Sequence, residues 1–368
     1  MINGERVKQA REFRGITQKQ LAEDVEVHPS EIAQIETGRI TPGDEVLQRI
    51  AFRVGFPISF FTQPTSIDFP LGSLLYRARA AITKKECNEV YQYSRMFYEV
   101  ISNLEKNIDN KSEYLLPRLE DTPENAAIKT RSVFSLSPDS PVANLTKILE
   151  RHRILVMALP TKVQKIDAFS VWVGDQTKRP IIVLANSAAP GDRLRFNIAH
   201  ELGHLVLHQT PRGNVGTLEK EAHRFASEFL MPREAMLKEL VAPVTLSLLI
   251  HLKERWMVSI QALMLRALRL EIISNRQYKY LMYQINNRNW RRNEPVDIKI
   301  EKPRFVSQLF EMLYGKPIDY RLVAKHANLP IQLIKNTIEA HVISSNELKN
   351  GPNNDSNGNV ITLARKKG

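Results

Sequence analysis

Two histidines lie within a strongly apolar stretch of the sequence. Residues 196–208 read FNIAHELGHLVLH, and their apolar side chains recur at the spacing of a buried helix, predicted over about 193–209. An imidazole ring on such a helix needs a polar partner, because an unpaired polar group is costly to bury. The chain must therefore fold so that other polar groups reach one face of this helix.

Strand-like runs precede this helix, and a second helix follows it. Runs rich in Val, Ile and aromatic residues occupy 153–159, 167–173 and 180–186, and turn residues bound each of them. The next predicted helix, 217–230, ends where a proline follows, because proline cannot continue a helix. Most of the remaining chain is helical by pattern, so we predict an α+β, mostly helical protein with one small sheet.

His200 and His204 are spaced to share one face of their helix. They lie one turn apart, so both imidazoles can occupy corners of a zinc tetrahedron. Glu201 lies about 100° around the helix, where it can act as a general base toward an attacking water. His208 is rotated about 80° from His200, which favours a supporting or packing role. The competing interpretation is a buried helix whose histidines are hydrogen-bonded in the core.

A third zinc ligand is expected from the helix within 218–232, LEKEAHRFASEFLMP. Glu221 shares the apolar face of this helix, where a carboxylate is costly to bury unless a positive group meets it. Glu228 lies on the same face and is the main rival, and His223 could also bind metal from another face. Glu219 is predicted to point elsewhere.

The first part of the chain contains two short helices joined by a tight turn. In the stretch 17–39, TQKQLAEDVEVHPSEIAQIETGR, Thr17 and Gln20 form a predicted capping box at the start of the first helix. The second helix begins at Pro29 or Ser30. Two short helices with this connection have helix-turn-helix geometry.

This region resembles the phage-repressor (XRE) type of helix-turn-helix domain over residues 5–62. The residues that carry the resemblance are Gln18, Leu21, Ala22, Ile32, Ile35, Glu36, Gly38 and Pro42. It implies that the second helix enters the major groove of DNA. The residues that it places at base edges are Pro29, Ser30, Glu31 and Gln34, and those that it places at phosphates are Gln18 and Arg39.

The charge of this module departs from what DNA binding favours. Residues 1–65 hold 8 Lys and Arg against 9 Asp and Glu. Pro29 and Glu31 are poor readers of bases, although a glutamate can accept from cytosine. The module is therefore interpreted either as an operator-binding domain or as a domain kept for protein–protein contact, for instance with a related repressor.

The stretch 193–232 resembles the ImmA/IrrE family of metallopeptidases. The resemblance is carried by HELGHLVLH and then by EAHRFASEFLMP. It implies a zincin-like peptidase domain in which Glu201 is the catalytic base. The Zn²⁺ ligands that it implies are His200, His204 and Glu221.

The same resemblance implies an edge strand that binds substrate as an added strand. This strand is expected at 167–173, with Ser170 and Trp172 near the cleft. Members of the family typically cut a repressor-type regulator and so release the genes under its control.

The two resemblances together predict a function. We expect a zinc endopeptidase that its DNA-binding domain brings to an operator or to its substrate, a repressor-type transcription regulator of a stress response or mobile element. The alternative is a transcription regulator or antitoxin that senses a ligand or zinc without cutting a protein. The complete His-Glu-His set favours the enzyme, because a sensor has no need of Glu201.

Composition limits the setting of the protein. The chain of 368 residues has one cysteine, Cys87, and no run of 18 apolar residues, so we predict no membrane span and a reducing cytoplasm. The net charge of +12 resides largely in residues 253–304, which hold 12 Lys and Arg against 5 Asp and Glu. This stretch is interpreted as a solvated face or as a contact for nucleic acid or an acidic protein.

The chain is expected to divide into several segments. The apolar stripe on a predicted helix at 83–109 is typical of core packing or, alternatively, of a homodimer seam. The predicted segments are a helix-turn-helix domain at 1–65, a linker at 66–82, a helical connector at 83–139, the peptidase domain at 140–243, a helical basic region at 244–345 and a disordered tail at 346–368.

Overall fold

The computed structural model describes residues 1–65, 67–74, 82–108, 116–117, 119–163, 165–174, 178–208 and 214–342. The tail predicted to be disordered, 346–368, lies outside these residues. None of the helices in the described part of the chain combines the length and the apolar character that crossing a bilayer requires.

The first 65 residues fold as a small helical bundle. Its elements are α1 Gly4–Phe13, α2 Gln18–Asp24, α3 Pro29–Glu36, α4 Asp44–Val54 and a 3₁₀ turn Ile58–Thr62. The predicted capping box is present, because Thr17 accepts from the backbone N–H of Gln20 while the Gln20 side chain accepts from that of Thr17. At the start of α3, the His28 ring accepts from the Ser30 N–H. These two caps fix the turn between α2 and α3.

A long helix, α5 Lys84–Glu105, packs against α1. Its buried residues include Val90 and Phe97, so the apolar stripe packs in the core. Arg6 on α1 donates to both carboxylate oxygens of Glu99 on α5, at 2.6 and 2.8 Å. The first bundle is therefore joined to the rest of the chain by apolar packing and by a bidentate ion pair.

Three strands form one small sheet in the order β1–β3–β2. They are β1 Leu155–Ala158, β2 Ala168–Val173 and β3 Arg179–Leu184. Strand β1 pairs parallel to β3, and β2 pairs antiparallel to β3. Each strand coincides with one of the three predicted runs, and β2 lies at the edge of the sheet.

Helices surround the sheet on both sides. Those before residue 232 are α6 Pro123–Val133, α7 Leu145–Arg151, α8 Gly191–Leu207 and α9 Val215–Leu230. Those after it are α10 Arg233–Glu239, α11 Leu246–Trp256, α12 Ile260–Arg269, α13 Asn275–Asn287, α14 Phe305–Tyr314, α15 Tyr320–Ala327 and α16 Ile331–Glu339. The predicted fold class, α+β and mostly helical with an all-α first part, is confirmed.

Two hydrophobic clusters cover the two faces of the sheet. One contains the core of the first bundle, the buried face of α5 and helices α14 to α16, together with Phe169 and Val171 of β2. The other contains α8, α9 and α11 to α13, together with Ala168 of β2 and Ile182 of β3. Neighbouring residues of β2 point into different clusters, as the two-residue period of a strand requires. The first bundle and the sheet therefore share one continuous core.

Part of the basic stretch 253–304 is buried in ion pairs. The ammonium group of Lys253 lies 2.6 Å from an Asp192 oxygen and 2.9 Å from a Glu294 oxygen. Arg266 pairs with Glu228, and both side chains are almost fully buried. These two cations meet carboxylates inside the protein, so they do not belong to a solvated face.

We expect Phe225→Ala to lower the free energy of unfolding by about 3–5 kcal/mol, because the substitution leaves a cavity in a packed core. Phe225 is fully buried and stacks on Phe229, with ring centroids 5.9 Å apart. Urea unfolding followed by tryptophan fluorescence measures the loss, since all three tryptophans follow residue 170.

Phe52→Ala is the matched control for this prediction. Phe52 lies on α4 and is 91% exposed, so its truncation should change the free energy of unfolding by no more than about 0.5 kcal/mol. Similar unfolding midpoints for the two variants would contradict the core position of Phe225.

Candidate functional site

Helix α8 places the two histidines of HELGH side by side. His200 and His204 lie one turn apart, and their Nε2 atoms are 3.1 Å from each other. The two residues are 3% and 4% exposed. The apolar stripe of α8 therefore buries both imidazoles, and their ring nitrogens need partners.

A carboxylate from α9 faces the two rings. Glu219 oxygens lie 3.4 Å from His200 Nε2 and 3.3 Å from His204 Nε2. Burial raises the pKa of the Glu219 carboxyl, but the contacts with the two imidazoles outweigh burial and hold that pKa well below its usual range. Within the described residues, these three side chains form the one cluster arranged to hold a metal ion.

The three side chains fit a tetrahedral metal ion. Ligand atoms about 2.0–2.1 Å from a zinc ion occupy tetrahedron corners about 3.3–3.4 Å apart, and the two histidine Nε2 atoms are 3.1 Å apart. Glu219 faces them with both oxygens, Oε2 at 3.4 Å from His200 Nε2 and Oε1 at 3.3 Å from His204 Nε2. The buried Glu219 Oε1 accepts no well-formed hydrogen bond from the described residues. A bound cation would satisfy this oxygen.

The glycine of HELGH allows α9 to approach α8 closely. A Cβ atom at Gly203 would lie 3.0 Å from the Phe225 ring, which is tighter than ordinary van der Waals contact. Phe225 is on α9, less than two turns after Glu219. The contact between Gly203 and Phe225 therefore sets the separation at which the Glu219 carboxylate reaches the histidines.

The structure differs from the prediction that Glu221 is the third ligand. Glu221 Oε2 lies 2.9 Å from His208 Nε2 instead, and Glu219, predicted to point elsewhere, faces the cluster. Measured around α9 from the buried Leu218, Glu219 lies about 100° to one side and Glu221 about 60° to the other. Both residues flank the apolar stripe, and helical periodicity does not show which flank meets α8.

Glu221 and His208 form a hydrogen-bonded chain that ends on His204. His208 Nε2 donates to Glu221, and the Nδ1 atoms of His208 and His204 are 2.9 Å apart. With His208 protonated on Nε2, its Nδ1 accepts from His204, which leaves His204 Nε2 as an acceptor facing the cluster. Burial lowers the pKa of His208 despite the Glu221 hydrogen bond, which favours the neutral ring. Such a chain orients a metal-binding histidine.

The other two candidate ligands lie outside the cluster. Glu228 pairs with Arg266 and accepts from the Arg233 N–H at 2.8 Å, so a cation of the protein already meets its charge. The His223 ring is exposed, with its centroid 4.5 Å from that of His200. His223 therefore borders the cluster without joining it.

Glu201 is fully buried and is held by two serines. Its Oε2 accepts from Ser170 Oγ at 2.9 Å and from Ser73 Oγ at 2.8 Å. The predicted cleft residue Ser170 is thus brought from β2 to the carboxylate. Trp172 lies on the same strand, and its indole N–H donates to the Leu205 carbonyl of α8 at 3.1 Å. The edge strand is therefore fastened to the helix that carries the histidines.

Ser73 is a site residue that sequence reasoning missed. It lies in the stretch 66–82, whose composition predicts a linker. A single hydroxyl in such a stretch produces no periodic signal. The one hint was the pair Gly72-Ser73, because a glycine permits close approach of one backbone to another.

The surface of α3 carries the predicted base-reading residues. Pro29 and Ser30 are exposed, and Glu31 and Gln34 are half-buried on the same helix. Ser30 Oγ lies 2.7 Å from His28 Nδ1. The first turn of α3 is thus open to a partner, as the major-groove interpretation requires.

The two predicted phosphate contacts have different surroundings. Arg39 is exposed just after α3. The Gln18 amide instead donates to Glu36 at 2.7 Å, and Glu36 also pairs with the buried Arg11 at 2.5 Å. Gln18 therefore ties α2 to α3 in this structure rather than being reserved for a phosphate.

Paired histidines on one helix, a carboxylate from the next helix and a neighbouring edge strand define a metallopeptidase-like domain. The IrrE N-terminal-like domain of family Peptidase_M78 matches residues 149–268, and the helix-turn-helix domain family HTH_19 matches residues 4–62. The chain thus has an XRE-type helix-turn-helix domain followed by an ImmA/IrrE-type domain, and both resemblances are confirmed.

Two solved structures are similar to the chain at low identity. PlcR of Bacillus thuringiensis, in complex with the peptide PapR7 and DNA, is 16% identical over 92% of this chain and 95% of its own, with a TM-score of 0.15. ComR from Streptococcus suis is 14% identical over 92% of this chain and 94% of its own, with a TM-score of 0.16. None of the curated proteins matches the chain.

We expect Glu219→Gln to weaken Zn²⁺ binding by at least about 100-fold, because it removes an anionic ligand. Glu221→Gln is the matched control, and it should weaken binding by about tenfold or less, since an amide oxygen can still accept from His208. Competition with a chromophoric chelator measures both affinities. A larger loss for Glu221→Gln would return the third ligand position to Glu221.

We expect Gln34→Ala to weaken binding to a selected operator duplex by about 1–3 kcal/mol while leaving non-specific binding unchanged. Arg39→Ala should weaken both kinds of binding. It should also reduce the magnitude of the slope of the logarithm of the binding constant against the logarithm of the salt concentration by about 1. Fluorescence anisotropy at several salt concentrations measures these effects. Gln48→Ala, an exposed glutamine on α4, is the control. Wild-type affinity in both test variants would favour the protein–protein role of this domain.

Proposed function

We propose that the protein is a cytoplasmic zinc-dependent endopeptidase that cleaves a repressor-type transcription regulator while its first domain binds operator DNA. The observation that carries the proposal is the convergence of His200, His204 and Glu219, with Glu201 next to His200 on the same helix. Two buried imidazoles and a carboxylate at tetrahedral spacing are what a bound zinc ion requires. The acidic neighbour on the histidine helix adds the base that hydrolysis needs.

His200, His204 and Glu219 would hold the zinc ion, and their neighbours would keep them in place. Bound zinc polarises the scissile carbonyl and lowers the pKa of water toward neutrality. His208 and Glu221 keep His204 Nε2 directed at the cluster through the hydrogen-bonded chain.

Glu201 would supply the proton transfers. It takes a proton from the attacking water and passes it to the amine that leaves when the peptide C–N bond breaks. The Ser170 hydroxyl donates to its carboxylate at 2.9 Å. This contact keeps the Glu201 carboxylate directed at β2, where a substrate would lie.

The outer edge of β2 would position the substrate. An extended polypeptide can add to an edge strand by main-chain hydrogen bonds. Ser170 lies on this strand and touches Glu201, so a polypeptide added here passes beside the base. The contact of Trp172 with α8 keeps the strand and the base at a fixed separation.

The helix-turn-helix domain would supply specificity that a small cleft lacks. A peptidase held at an operator meets a repressor bound nearby at a high effective concentration. The exposed first turn of α3 and the exposed Arg39 support a contact with DNA.

A second candidate is a regulator or antitoxin that senses zinc or a ligand without cutting a protein. The observation that favours it is the Ser73 hydroxyl on Glu201, since an engaged carboxylate is less available to a water. Gel shifts with and without a chelator would then show a metal-dependent affinity for operator DNA, and no partner would be cleaved.

We expect Glu201→Gln to slow cleavage of a co-expressed repressor by about 10²–10⁴-fold, because an amide cannot accept the proton. Zinc content should stay unchanged, since Glu201 is not in the metal cluster. The repressors to test are those encoded beside this gene, with immunoblots to follow cleavage and metal analysis to follow zinc.

Glu234→Gln is the matched control for this experiment. Glu234 is exposed on α10, so cleavage should continue at the wild-type rate. Undiminished cleavage by Glu201→Gln would remove Glu201 from the mechanism. Failure of the wild-type protein to cut each neighbouring repressor would favour the non-proteolytic regulator.

A further inference from the structure

The chain just before α5 meets the outer edge of β2. The Ser73 N–H donates to the Ser170 carbonyl at 2.8 Å, and the Ser170 N–H donates to Ser73 Oγ at 2.8 Å. In the described sheet, β2 pairs with β3 along its other edge. Ser73 therefore occupies the backbone donor and acceptor that an added strand would use.

The Ser73 hydroxyl connects this contact to the proposed catalytic base. While accepting from the Ser170 N–H, Ser73 Oγ donates its own proton to Glu201 Oε2 at 2.8 Å. A hydroxyl has one proton to donate, and here Glu201 receives it. The segment is thus bound at the edge strand and at the base through one side chain.

Gly72 fits this position because it has no side chain. A Cβ atom there would lie 2.2 Å from the Ser170 carbonyl oxygen and 2.8 Å from the Val171 Cβ. The φ angle of Gly72 is +55°, in the left-handed region that favours glycine. The approach of the segment to β2 therefore depends on this residue.

Apolar anchors hold the segment on both sides of Gly72-Ser73. Phe69 is 1% exposed and Leu74 is 0% exposed. The Tyr91 hydroxyl of α5 donates to the Phe69 carbonyl at 2.7 Å. A flexible spacer would not bury two large side chains, so the segment is a packed part of the structure.

We infer that the outer edge of β2 is a polypeptide-binding strand whose resident occupant is Phe69–Leu74, and that a substrate has to displace this occupant. The inference rests on the proposed function in one respect, because it takes the displacing partner to be the substrate of the same site. In the protein without substrate, the segment Phe69–Leu74 then covers the β2 edge. Glu201 becomes available to a substrate when this segment leaves.

The occupant also defines the class of partner. A competing segment would make the same turn, in which the Leu74 N–H donates to the Leu71 carbonyl at 3.1 Å. It would place a glycine against Val171 and a hydroxyl-bearing or small residue toward Glu201. One large apolar residue would come directly after the hydroxyl-bearing residue, as Leu74 does after Ser73. Another would come three positions before the glycine, as Phe69 does before Gly72. A bulky residue in place of the glycine would collide with the Ser170 carbonyl.

Gly72→Ala tests the inference by expelling the occupant. The probe is a fluorescein-labelled peptide with the sequence of residues 66–75, SIDFPLGSLL, added to chelator-treated full-length protein. We expect Gly72→Ala to bind the peptide at least tenfold more tightly than the wild-type protein, because its β2 edge is vacant. A peptide with valine at the glycine position should not bind.

Gly43→Ala is the control for a substitution at glycine. Gly43 has a φ of −64°, and a Cβ atom added there would meet no heavy atom within 4 Å. This variant should therefore bind the peptide as weakly as the wild-type protein. Equal affinity of Gly72→Ala and the wild-type protein, including no binding by either, would overturn the inference.

A pair of cysteines tests the position of the segment even if Gly72→Ala does not fold. The hydroxyls of Ser73 and Ser170 are 3.4 Å apart, so Ser73→Cys with Ser170→Cys, in a Cys87→Ser background, should form a disulfide on oxidation. Mass spectrometry of the unreduced peptides detects it, and the oxidised protein should not bind the probe peptide. Failure to form the disulfide would show that the segment does not lie on β2.

Both measurements are made without metal and without cleavage. Absence of cleavage by the wild-type protein would therefore contradict the proposed function without bearing on the occupancy of β2. Cleavage that depends on Glu201, together with no disulfide and no peptide binding, would contradict the occupancy of β2 and support the proposed function.

Discussion

The close contact between Gly203 and the Phe225 ring determines much of the candidate site. Because a Cβ at Gly203 would lie 3.0 Å from that ring, α9 can cross α8 near enough for Glu219 to reach His200 and His204. Protein interiors are packed too tightly to absorb an extra methyl group without a shift. The spacing of three polar groups is therefore fixed by an apolar contact that belongs to none of them.

Helical and strand periodicity predict most of the elements here, but not how two helices dock. The pattern of α8 predicts two buried histidines, and the runs before it predict three strands. The choice between Glu219 and Glu221 depends on which flank of α9 faces α8, and that rotation is set by packing rather than by sequence period. Ser73 reaches Ser170 across 97 residues of chain, a separation at which local pattern carries no information.

The three glutamates of α9 near the site have different partners and therefore different roles. Glu219 faces the histidines, Glu221 orients His204 through His208, and Glu228 is neutralised by Arg266. Glu201 is held by hydroxyls instead of a cation. The carboxylate is therefore not locked in an ion pair, and release of the Ser73 hydroxyl would open one of its oxygens to a new partner.

The hydrophobic cluster that runs from α1 through α5 to one face of the sheet makes the two functional regions one cooperative unit. Val7, Phe97 and Val171 belong to the same cluster, so a fragment ending after the first bundle would expose the apolar face that now covers α5. A ligand that binds the folded first bundle also stabilises the sheet by mass action. The first bundle and the sheet therefore gain or lose stability together, so a substitution that leaves a cavity in one part of this cluster should lower the free energy of unfolding of both.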